Sequence, residues 1–455
     1  MNRPRFGGLW QDRDFLRLWA GESVSLLGAQ VTQLALPLAA VYQLHASSTQ
    51  LGLLNAANYA PFLGLTLFIG VWADRRRRRP LMIGANLGRA VLVGTVPLCA
   101  ALGALNIWYL YLAALAIGVL TVVFDVSYQS YLPSLIDHDH LVEGNSKLSA
   151  SSSVAQIGGP ALGGLLISWM SAPIALLVNC VSYLVSVGSL STIRRAEPLP
   201  EQPAERVSTA RSIAEGLRMV LRNASIRAIA LEAGTYNLCW MSLQTVFVLY
   251  AARHLGMSPG TIGLVLGAGA IGSLLGALGA GWLKERLGLG RAVMLELALC
   301  CCAPVLIPLA PGRGALSYAL YITAFALCGL GSTMSTIHVV SLRQVITPPH
   351  LLGRVNAGCR FIAWGPLPLG ALIGGWLGDE VGLRPTLWIT AATFVLALLW
   401  VAFSPVRGLK DFPTDLPHQR TSASGSAPAS GSASASASED VDVEAAAAAA
   451  APSPS

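Results

Sequence analysis

The sequence has 455 residues and a formal net charge of +7, with 54% hydrophobic and only 12% charged residues. An average soluble protein has about 25% charged residues, so this composition excludes an ordinary soluble protein, which would have too little polar surface to cover its core. Apolar runs of about 20 residues recur, and a helix of that length crosses about 30 Å of hydrocarbon. The composition therefore predicts an all-α integral membrane protein in contact with a lipid bilayer.

Twelve apolar segments, six in each half of the sequence, are predicted to be transmembrane helices. They are residues 15–43, 50–72, 81–103, 107–132, 148–169, 173–193, 226–252, 260–283, 292–310, 315–343, 355–377 and 385–404. Residues 1–14 form a leader before the first half, 15–193, and residues 194–225 form a linker before the second half, 226–410. In the linker, residues 211–222 place apolar side chains on one helical face and arginines on the other, which predicts an amphipathic helix on the membrane surface.

The two halves repeat each other at a constant spacing of 211 positions. The residues paired in this way include Gly52 with Gly263, Asn145 with Asn356, Gly159 with Gly370 and Gly164 with Gly375. The spacing is kept without a gap from about residue 44 to residue 164, which indicates two homologous halves. Internal repeats of this kind occur in many secondary transporters.

A polar motif of the form Gly-x-x-x-acid-Arg closes one apolar segment in each half. Its two copies are Gly70, Asp74 and Arg75 and, in the second half, Gly281, Glu285 and Arg286. The first copy continues as arginines to Arg79, and a cluster of arginines cannot enter hydrocarbon, so the motif is predicted to lie at a membrane face. A nucleic-acid-binding patch is the alternative. The apolar segments on both sides disfavour it, so no nucleic-acid partner is predicted.

The positions of lysine and arginine predict the orientation of the chain. When both termini are placed in the cytoplasm, only Arg253, Arg313 and Arg384 fall on the outer side, and positive charge is usually concentrated on the cytoplasmic side. Residues 411–455 are Ser/Ala/Gly-rich from about Arg420, then acidic, then alanine-rich. They are predicted to form a disordered cytoplasmic tail, because they cannot bury enough apolar surface to fold.

Further motifs in the spans carry a family resemblance. They are Leu18-Trp19-x-Gly21 in the first span, the loop motif after the second, Tyr131-Leu132-Pro133 after the fourth, Asn145 with Gly159-Pro160 in the fifth, and Gly353-Arg354-Val355-Asn356 in the second half. On these residues, the chain resembles the major facilitator superfamily over about residues 10–410. Within the superfamily, it resembles bacterial exporters similar to enterobactin exporters and macrolide efflux proteins.

The resemblance implies twelve transmembrane helices in two six-helix halves, which surround a central cavity and open it alternately to the two sides of the membrane. It also implies a monomer in the inner membrane of a bacterium. In such transporters the loop motif latches the cytoplasmic ends of the halves together, and Asp74 would meet a helix N-terminus or a basic partner there. Arg77 stands where the family usually has a second glycine. The alternative role of the motif is to fix topology alone.

The fifth predicted span contains Gly159, Pro160, Gly163 and Gly164, which resemble the end of the motif found in drug/proton antiporters. Glycine allows neighbouring helices to approach closely, while proline removes one backbone hydrogen bond and bends a helix. A helix-packing motif with no bearing on the direction of transport is the alternative.

Ionisable residues inside the predicted spans are candidates for proton coupling or for the substrate cavity, because burying each of them costs several kcal/mol. The candidates are Glu22, Arg89, Asp125, Glu232 and His338. Glu22 and Asp125 lie about two helical turns from the cytoplasmic ends of their spans, where two acids could share a proton or a cation.

Structural roles are the alternatives for the same residues. Arg89 could form a fixed ion pair with Glu22 or Asp125, and His338 could be a satisfied core residue. The side chains close to span ends could extend to the membrane surface. These are Glu232, Glu296 and Arg360.

The favoured function is proton-coupled export of an amphipathic small molecule, such as an antibiotic, a siderophore or another secondary metabolite. Aromatic residues in the spans suit such a cavity; they include Trp108, Phe124, Tyr128, Tyr236, Trp240, Phe247 and Trp364. A transporter of lipids or nutrients with the same fold and a non-transporting membrane sensor are the alternatives. The eight cysteines form no Cys-x-x-Cys pair and no nucleotide-binding loop is present, so neither a metal, a cofactor nor an enzyme is predicted.

Overall fold

The structure is a computed structural model that describes residues 9–74, 76–137, 140–195, 197, 209–348 and 351–412. Within these residues the secondary structure is helical. The α-helices are α1 (Arg13–Gln43), α2 (Ser48–Gly64), α3 (Thr66–Asp74), α4 (Arg78–Ala101), α5 (Ile107–Leu135), α6 (Leu141–Met170), α7 (Ala172–Ser191), α8 (Thr209–Arg222), α9 (Ala224–Leu249), α10 (Pro259–Leu287), α11 (Leu289–Cys302), α12 (Leu306–Leu309), α13 (Ala315–Ile346), α14 (Leu352–Trp364), α15 (Leu367–Glu380) and α16 (Leu383–Ala402).

The surface of the bundle is that of a membrane protein. Nine helical stretches of the described residues are long and apolar enough to cross a bilayer. Many large apolar side chains face outwards, and Trp169 and Phe403 are 81% and 86% exposed. A soluble protein rarely exposes so much contiguous apolar surface, whereas hydrocarbon solvates it. The prediction of an all-α membrane protein is therefore confirmed.

Three predicted spans are divided by a short break rather than formed by one helix. Leu65 separates α2 from α3, four residues after Pro61, and Gly365 and Pro366 separate α14 from α15. A short turn, Ala303–Val305, separates α11 from α12. Proline cannot donate a backbone hydrogen bond and its ring clashes with the preceding turn, which accounts for the breaks at Pro304 and Pro366. The break at Leu65 lies after Pro61 and is not explained by it. In α6 the helix continues through Pro160 without a break.

Helix starts are capped in the same way at positions that are 211 residues apart. Asp12 accepts hydrogen bonds from the first backbone N–H groups of α1, and Asn223 does so for α9. Ser47 and Ser258 cap α2 and α10 through their hydroxyl oxygens. These side chains satisfy N–H groups that have no partner within the helix. The spacing found in the sequence therefore extends to the local signals that start the helices.

Two close contacts join the first half of the chain to the second. We call the packing of α2 against α15 the first seam and the packing of α6 against α10 the second seam. Both seams lie towards the beginning of α2 and α10. We call this end of the bundle the seam face, and the opposite end, which carries Arg76 and Arg77, the arginine face.

The predicted amphipathic helix forms as α8, but it packs against protein. Val220 is fully buried and contacts a small cluster that includes Val355 and Cys359 of α14. A Cβ added to Gly216 would collide with the backbone of Arg354. A neighbouring helix therefore covers Val220, and the location of α8 at the membrane surface stays a prediction.

Candidate functional site

The helices enclose a cavity of 1180 Å³ that is lined by both halves of the chain. In the first half, α1, α2, α5, α6 and α7 contribute to its wall, and in the second half α9, α10, α11, α13 and α14 do so. Pockets for drug-sized molecules have volumes of about 300–1,000 Å³. The cavity is therefore large enough for an organic molecule of that size.

The wall of the cavity combines aromatic rings with neutral amides. Tyr236 stacks on Trp240 with ring centroids 6.1 Å apart, and Phe62 lies between Tyr59 and Trp364 at 6.3 and 5.9 Å. The lining amides are Gln30, Gln33, Asn55, Asn58, Gln156, Asn237, Gln244 and Asn356. Such a wall offers apolar contact together with hydrogen-bond donors and acceptors, which suits an amphipathic molecule.

Direct hydrogen bonds hold parts of this wall in place. The amide of Asn55 donates to the hydroxyl of Thr245 over 2.9 Å and thereby joins α2 to α9. Gln33 donates to the Tyr59 hydroxyl over 3.1 Å, and Asn237 donates to the Ala363 carbonyl over 2.8 Å. The first of these bonds links the two halves of the chain inside the cavity.

Three of the seven aromatic residues predicted for the cavity lie in its wall, namely Tyr236, Trp240 and Trp364. Trp108 is 74% exposed on the outer surface of the bundle, while Phe124 and Phe247 are buried between helices.

The contribution of α2 to the cavity was not expected from the sequence. Its cavity residues Asn55, Asn58, Tyr59 and Phe62 follow the spacing of one helical face, with steps of three and four residues. The polar side chains on this face of a span would have been the signal.

Glu232 is the one acidic residue among the described residues of the cavity wall. Its side chain is buried, and it lines the cavity with the basic residues Arg343 and Arg360. Among the described residues, it has no hydrogen-bond or ion-pair partner. Glu232 is thus available to a proton or to a cationic group of a ligand, and the interpretation of a side chain extending to the membrane surface is wrong here.

Arg89 lies outside the cavity in a buried cluster of the first half. Its guanidinium lies over the rings of Phe124 and Tyr183, 4.5 Å from each centroid, and it donates to the amide oxygen of Asn86. Asn86 in turn donates to Ser186 over 2.8 Å. Stacking on two rings and an amide replaces the hydration of the cation.

Glu22 and Asp125 are electrostatic neighbours of Arg89 without forming a salt bridge to it. The charge of Arg89 acts on both acids, and Arg360 of the second half also acts on Asp125. Within the residues that the structure describes, no salt bridge within 4 Å joins Arg89 to either acid, so the alternative of a fixed ion pair is wrong. One carboxylate oxygen of Glu22 is buried without a hydrogen-bond partner in the described structure.

His338 is paired with Glu296 in the interior of the second half. Its Nδ1 lies 2.9 and 3.2 Å from the two carboxylate oxygens of Glu296. Both side chains are buried, and neither residue lines the cavity. Glu296 is therefore not a side chain that extends to the membrane surface, as the sequence suggested; it is a buried partner of a histidine.

The loop motif is only partly visible. Gly70 and Asp74 belong to α3, but the Asp74 side chain and the whole of Arg75 lie outside the described residues. In the second copy, Arg286 stacks on Trp282 at 5.0 Å. Glu285 is exposed and forms no ion pair with a residue for which the structure gives a position. The adjacent Lys284 pairs with Asp411 at 3.0 Å.

The glycines of α6 lie where this helix crosses two others. Gly159 and Gly163 face α1, where a Cβ on Gly163 would lie 3.3 Å from the Val31 Cα. Gly164 faces α10, and a Cβ on it would lie 2.9 Å from the Cα of Gly263. The motif thus occupies a packing position at the second seam.

Comparisons with known proteins agree with this architecture. The macrolide efflux protein A of Streptococcus pyogenes is 21% identical over 376 residues, which cover 81% of this chain and 90% of that protein. The multidrug efflux pump Tap of Mycobacterium tuberculosis is 28% identical over 371 residues, covering 78% and 85%. A crystal structure of a bacterial homologue of the iron transporter ferroportin in an inward-facing state superposes with a TM-score of 0.69 at 18% identity, covering 86% of this chain and 98% of that one.

A family model assigns most of the chain to a single group. The model of the Major Facilitator Superfamily matches residues 18–363, a range that begins in α1 and ends in α14. It therefore includes most of the residues that line the cavity. The chain belongs to the major facilitator superfamily and is a membrane-spanning transporter rather than an enzyme.

Proposed function

We propose that the protein exports amphipathic organic molecules from the bacterial cytoplasm in exchange for protons. The cavity is the observation that carries the proposal. It is shared by both halves of the chain, it can hold a drug-sized molecule, and its wall joins aromatic rings to amides and one buried acid. A cavity between two repeats is where alternating-access transporters bind their substrates.

The proposed architecture has twelve spans in two six-helix halves. Each divided helix counts as one span, so that α2 with α3, α11 with α12, and α14 with α15 cross the membrane once each. The arginine face is the cytoplasmic one in this arrangement, because arginine-rich loops are retained on that side. Both termini are then cytoplasmic, and the seam face is external.

The relatives support export and the class of substrate. The names of two of them describe efflux of macrolides and of multiple drugs. A macrolide is a large amphipathic molecule, and the mixture of rings and amides in the cavity fits such a compound better than it fits a small ion. The inner membrane of a bacterium is the expected location, and a monomer contains the whole cavity.

Glu232 is the proposed proton-binding residue of the cavity. A carboxylate in this position can bind a proton from one side of the membrane and release it to the other, or exchange it for a cationic group of the substrate. Glu22 and Asp125 lie in the field of Arg89 and form the second proposed proton site. The latch role of Gly70, Asp74, Arg75, Gly281, Glu285 and Arg286 at the arginine face belongs to the same proposal.

Transport into inverted membrane vesicles tests the proposal. With an imposed pH gradient, a radiolabelled macrolide and ethidium should accumulate in vesicles that contain the protein. Glu232→Gln keeps the shape of the side chain and removes its charge, so uphill accumulation should fall at least about 10-fold while downhill exchange persists. Asp125→Asn is compared in the same assay.

The matched control is Glu380→Gln, which neutralises an exposed acid outside the cavity and should not change transport. Full uphill accumulation by both the Glu232→Gln and Asp125→Asn variants would contradict proton coupling through these acids. Transport of a phospholipid or a nutrient, without transport of either probe, would favour the alternative substrates of the same fold.

A further inference from the structure

The two seams are built around pairs of glycines that have the same spacing in the sequence. Gly52 meets Gly375 in the first seam, and Gly263 meets Gly164 in the second. A Cβ on Gly375 would lie 2.9 Å from the Gly52 Cα, and one on Gly263 would lie 2.9 Å from the Gly164 Cα. Real side chains do not approach so closely, so each seam depends on backbone contact between two helices.

A carboxylate adds a polar contact to the first seam. Asp379, near the end of α15, accepts hydrogen bonds from the Ser47 hydroxyl over 2.8 Å, from the Ser48 N–H over 2.9 Å and from the Thr49 N–H over 2.8 Å. The last two are N–H groups of the first turn of α2, which have no acceptor within that helix. The negative charge also lies at the positive end of the α2 dipole.

A serine occupies the matching position in the second seam. Ser168 stands 211 residues before Asp379, and its hydroxyl accepts a hydrogen bond of 2.8 Å from the Gly260 N–H of α10. Gly260 is the counterpart of Thr49. Pro259 is the counterpart of Ser48 and has no N–H to donate. The two seams therefore have the same construction, but one has a charged acceptor with three donors and the other a neutral acceptor with one.

We propose that Asp379 is a latch that keeps the seam face closed and sets how often it opens. The proposal rests on alternating access, the proposed function, because opening of the cavity at this face requires α15 to move away from the start of α2. That movement breaks three hydrogen bonds to one carboxylate at once. Asp379 acts on transport through helix position and does not touch the cavity.

The latch joins two segments of the chain that are far apart in sequence. The Ser47 hydroxyl forms two hydrogen bonds there. Its hydroxyl oxygen caps α2 by accepting from the Gln50 N–H over 3.3 Å, and its hydroxyl hydrogen is donated to Asp379. The start of α2 is thus fixed before Asp379 binds it. A pre-ordered set of donors loses little entropy when the seam closes.

Accessibility of the cavity to a membrane-impermeant maleimide tests the latch in the full-length protein. A cysteine is introduced at Asn58, which lines the cavity, and the protein without it gives the background from native cysteines. Asp379→Asn removes the charge and leaves one acceptor oxygen. The rate of labelling from the seam face should rise about 3- to 10-fold, since the closed state loses part of its stabilisation.

Glu380→Gln is the matched control, since it neutralises the neighbouring exposed acid, and its labelling rate should not change. Labelling is measured in whole cells and in inverted vesicles, so the result does not depend on the proposed orientation. The labelling assay needs no substrate. The latch proposal can therefore be contradicted while export is observed, and the export proposal can be contradicted while the latch is observed.

Equal labelling rates for Asp379→Asn and Glu380→Gln would overturn the proposal. If Asp379→Asn is absent from the membrane, Asp379→Ser, which copies the second seam, replaces it and should show the same rise. Absence of both variants from the membrane would also overturn the proposal, because Asp379 would then be required for folding rather than for gating.

Discussion

The two halves of the chain use the same backbone devices but different ionisable side chains. Helix caps and glycine pairs occur at matching positions, as at Ser47 and Ser258. At the Arg89 position of the first half, the second half has Cys300, which is buried. Where the second half has Glu296 and His338, the first half has Ala85 and Ser127, both buried as well.

This difference indicates that helix packing and transport chemistry have different requirements in a transporter with two related halves. Packing between the halves has to be nearly symmetric, because both seams close the same end of one cavity. Proton and substrate chemistry has no such requirement, and each half can hold different charges. The comparison therefore assigns helix packing to the matching positions, and it assigns both proton chemistry and the Asp379 latch to positions that differ.

The largest expected effect comes from breaking the buried pair of the second half. Glu296→Gln leaves His338 buried next to an amide in place of a carboxylate, which should lower the free energy of unfolding by about 3 kcal/mol. The unfolding transition of the purified protein in detergent measures this loss. An unchanged transition would show that the pair contributes nothing to stability.

A double variant tests whether Glu296 and His338 act as a pair that the first half does not need. Glu296→Ala with His338→Ser copies Ala85 and Ser127 into the second half. Because it removes both members of the pair, it should be less destabilised than the sum of the two single changes. Additive losses would mean that the two residues act independently, in disagreement with the distance of 2.9 Å between them.

A smaller effect is expected from one methyl group in the second seam. Gly263→Ala places a Cβ 2.9 Å from the Gly164 Cα and should destabilise the packed seam by about 1–3 kcal/mol. Gly267→Ala, one turn further along α10, meets its nearest atom at 3.7 Å and should be tolerated. The unfolding transition and macrolide transport are measured for both variants. Equal behaviour would contradict close backbone packing as the basis of the seam.

The fold could be predicted from the sequence because the patterns that indicate it can be recognised without knowing the tertiary contacts. Apolar length indicated membrane helices, and the constant spacing indicated related halves. The divisions of helices were harder to predict, since Pro366 and Pro160 both lie inside spans and only the first stands at a break. A proline in a span removes one hydrogen bond, but whether the helix divides there depends on its neighbours.

The site could be predicted only in part, because the sequence indicates which charged residues are buried but not which residues they contact. Glu232 was a cavity candidate because it lies inside a span, but its position near the end of that span also suggested a side chain that extends to the membrane surface. The stacking of Arg89 on Phe124 and Tyr183 could not be predicted, since Tyr183 comes from a helix far along the chain. Asp379 gave no signal either, because an acid at the end of a span is ordinary and its partners are backbone N–H groups of another helix.

The smallest expected effect, and the closest test of the two seams, is Ser168→Asp. The new carboxylate would lie at the start of α10 and could accept from the Gly260 N–H, as Asp379 accepts from Thr49. A negative charge at a helix N-terminus contributes about 0.3–1 kcal/mol, and the gain should be at the low end because Pro259 cannot donate. Labelling from the seam face should therefore slow by about 2-fold, and transport should slow with it.

Ser168→Asn, which has an acceptor but no charge, is the control and should stay near the wild-type rate. Combined with Asp379→Ser, the change exchanges the acceptors of the two seams, and labelling should return towards the wild-type rate. An exchange variant that labels as fast as Asp379→Ser alone would show that the seams are not equivalent, and that the charge is needed at α2.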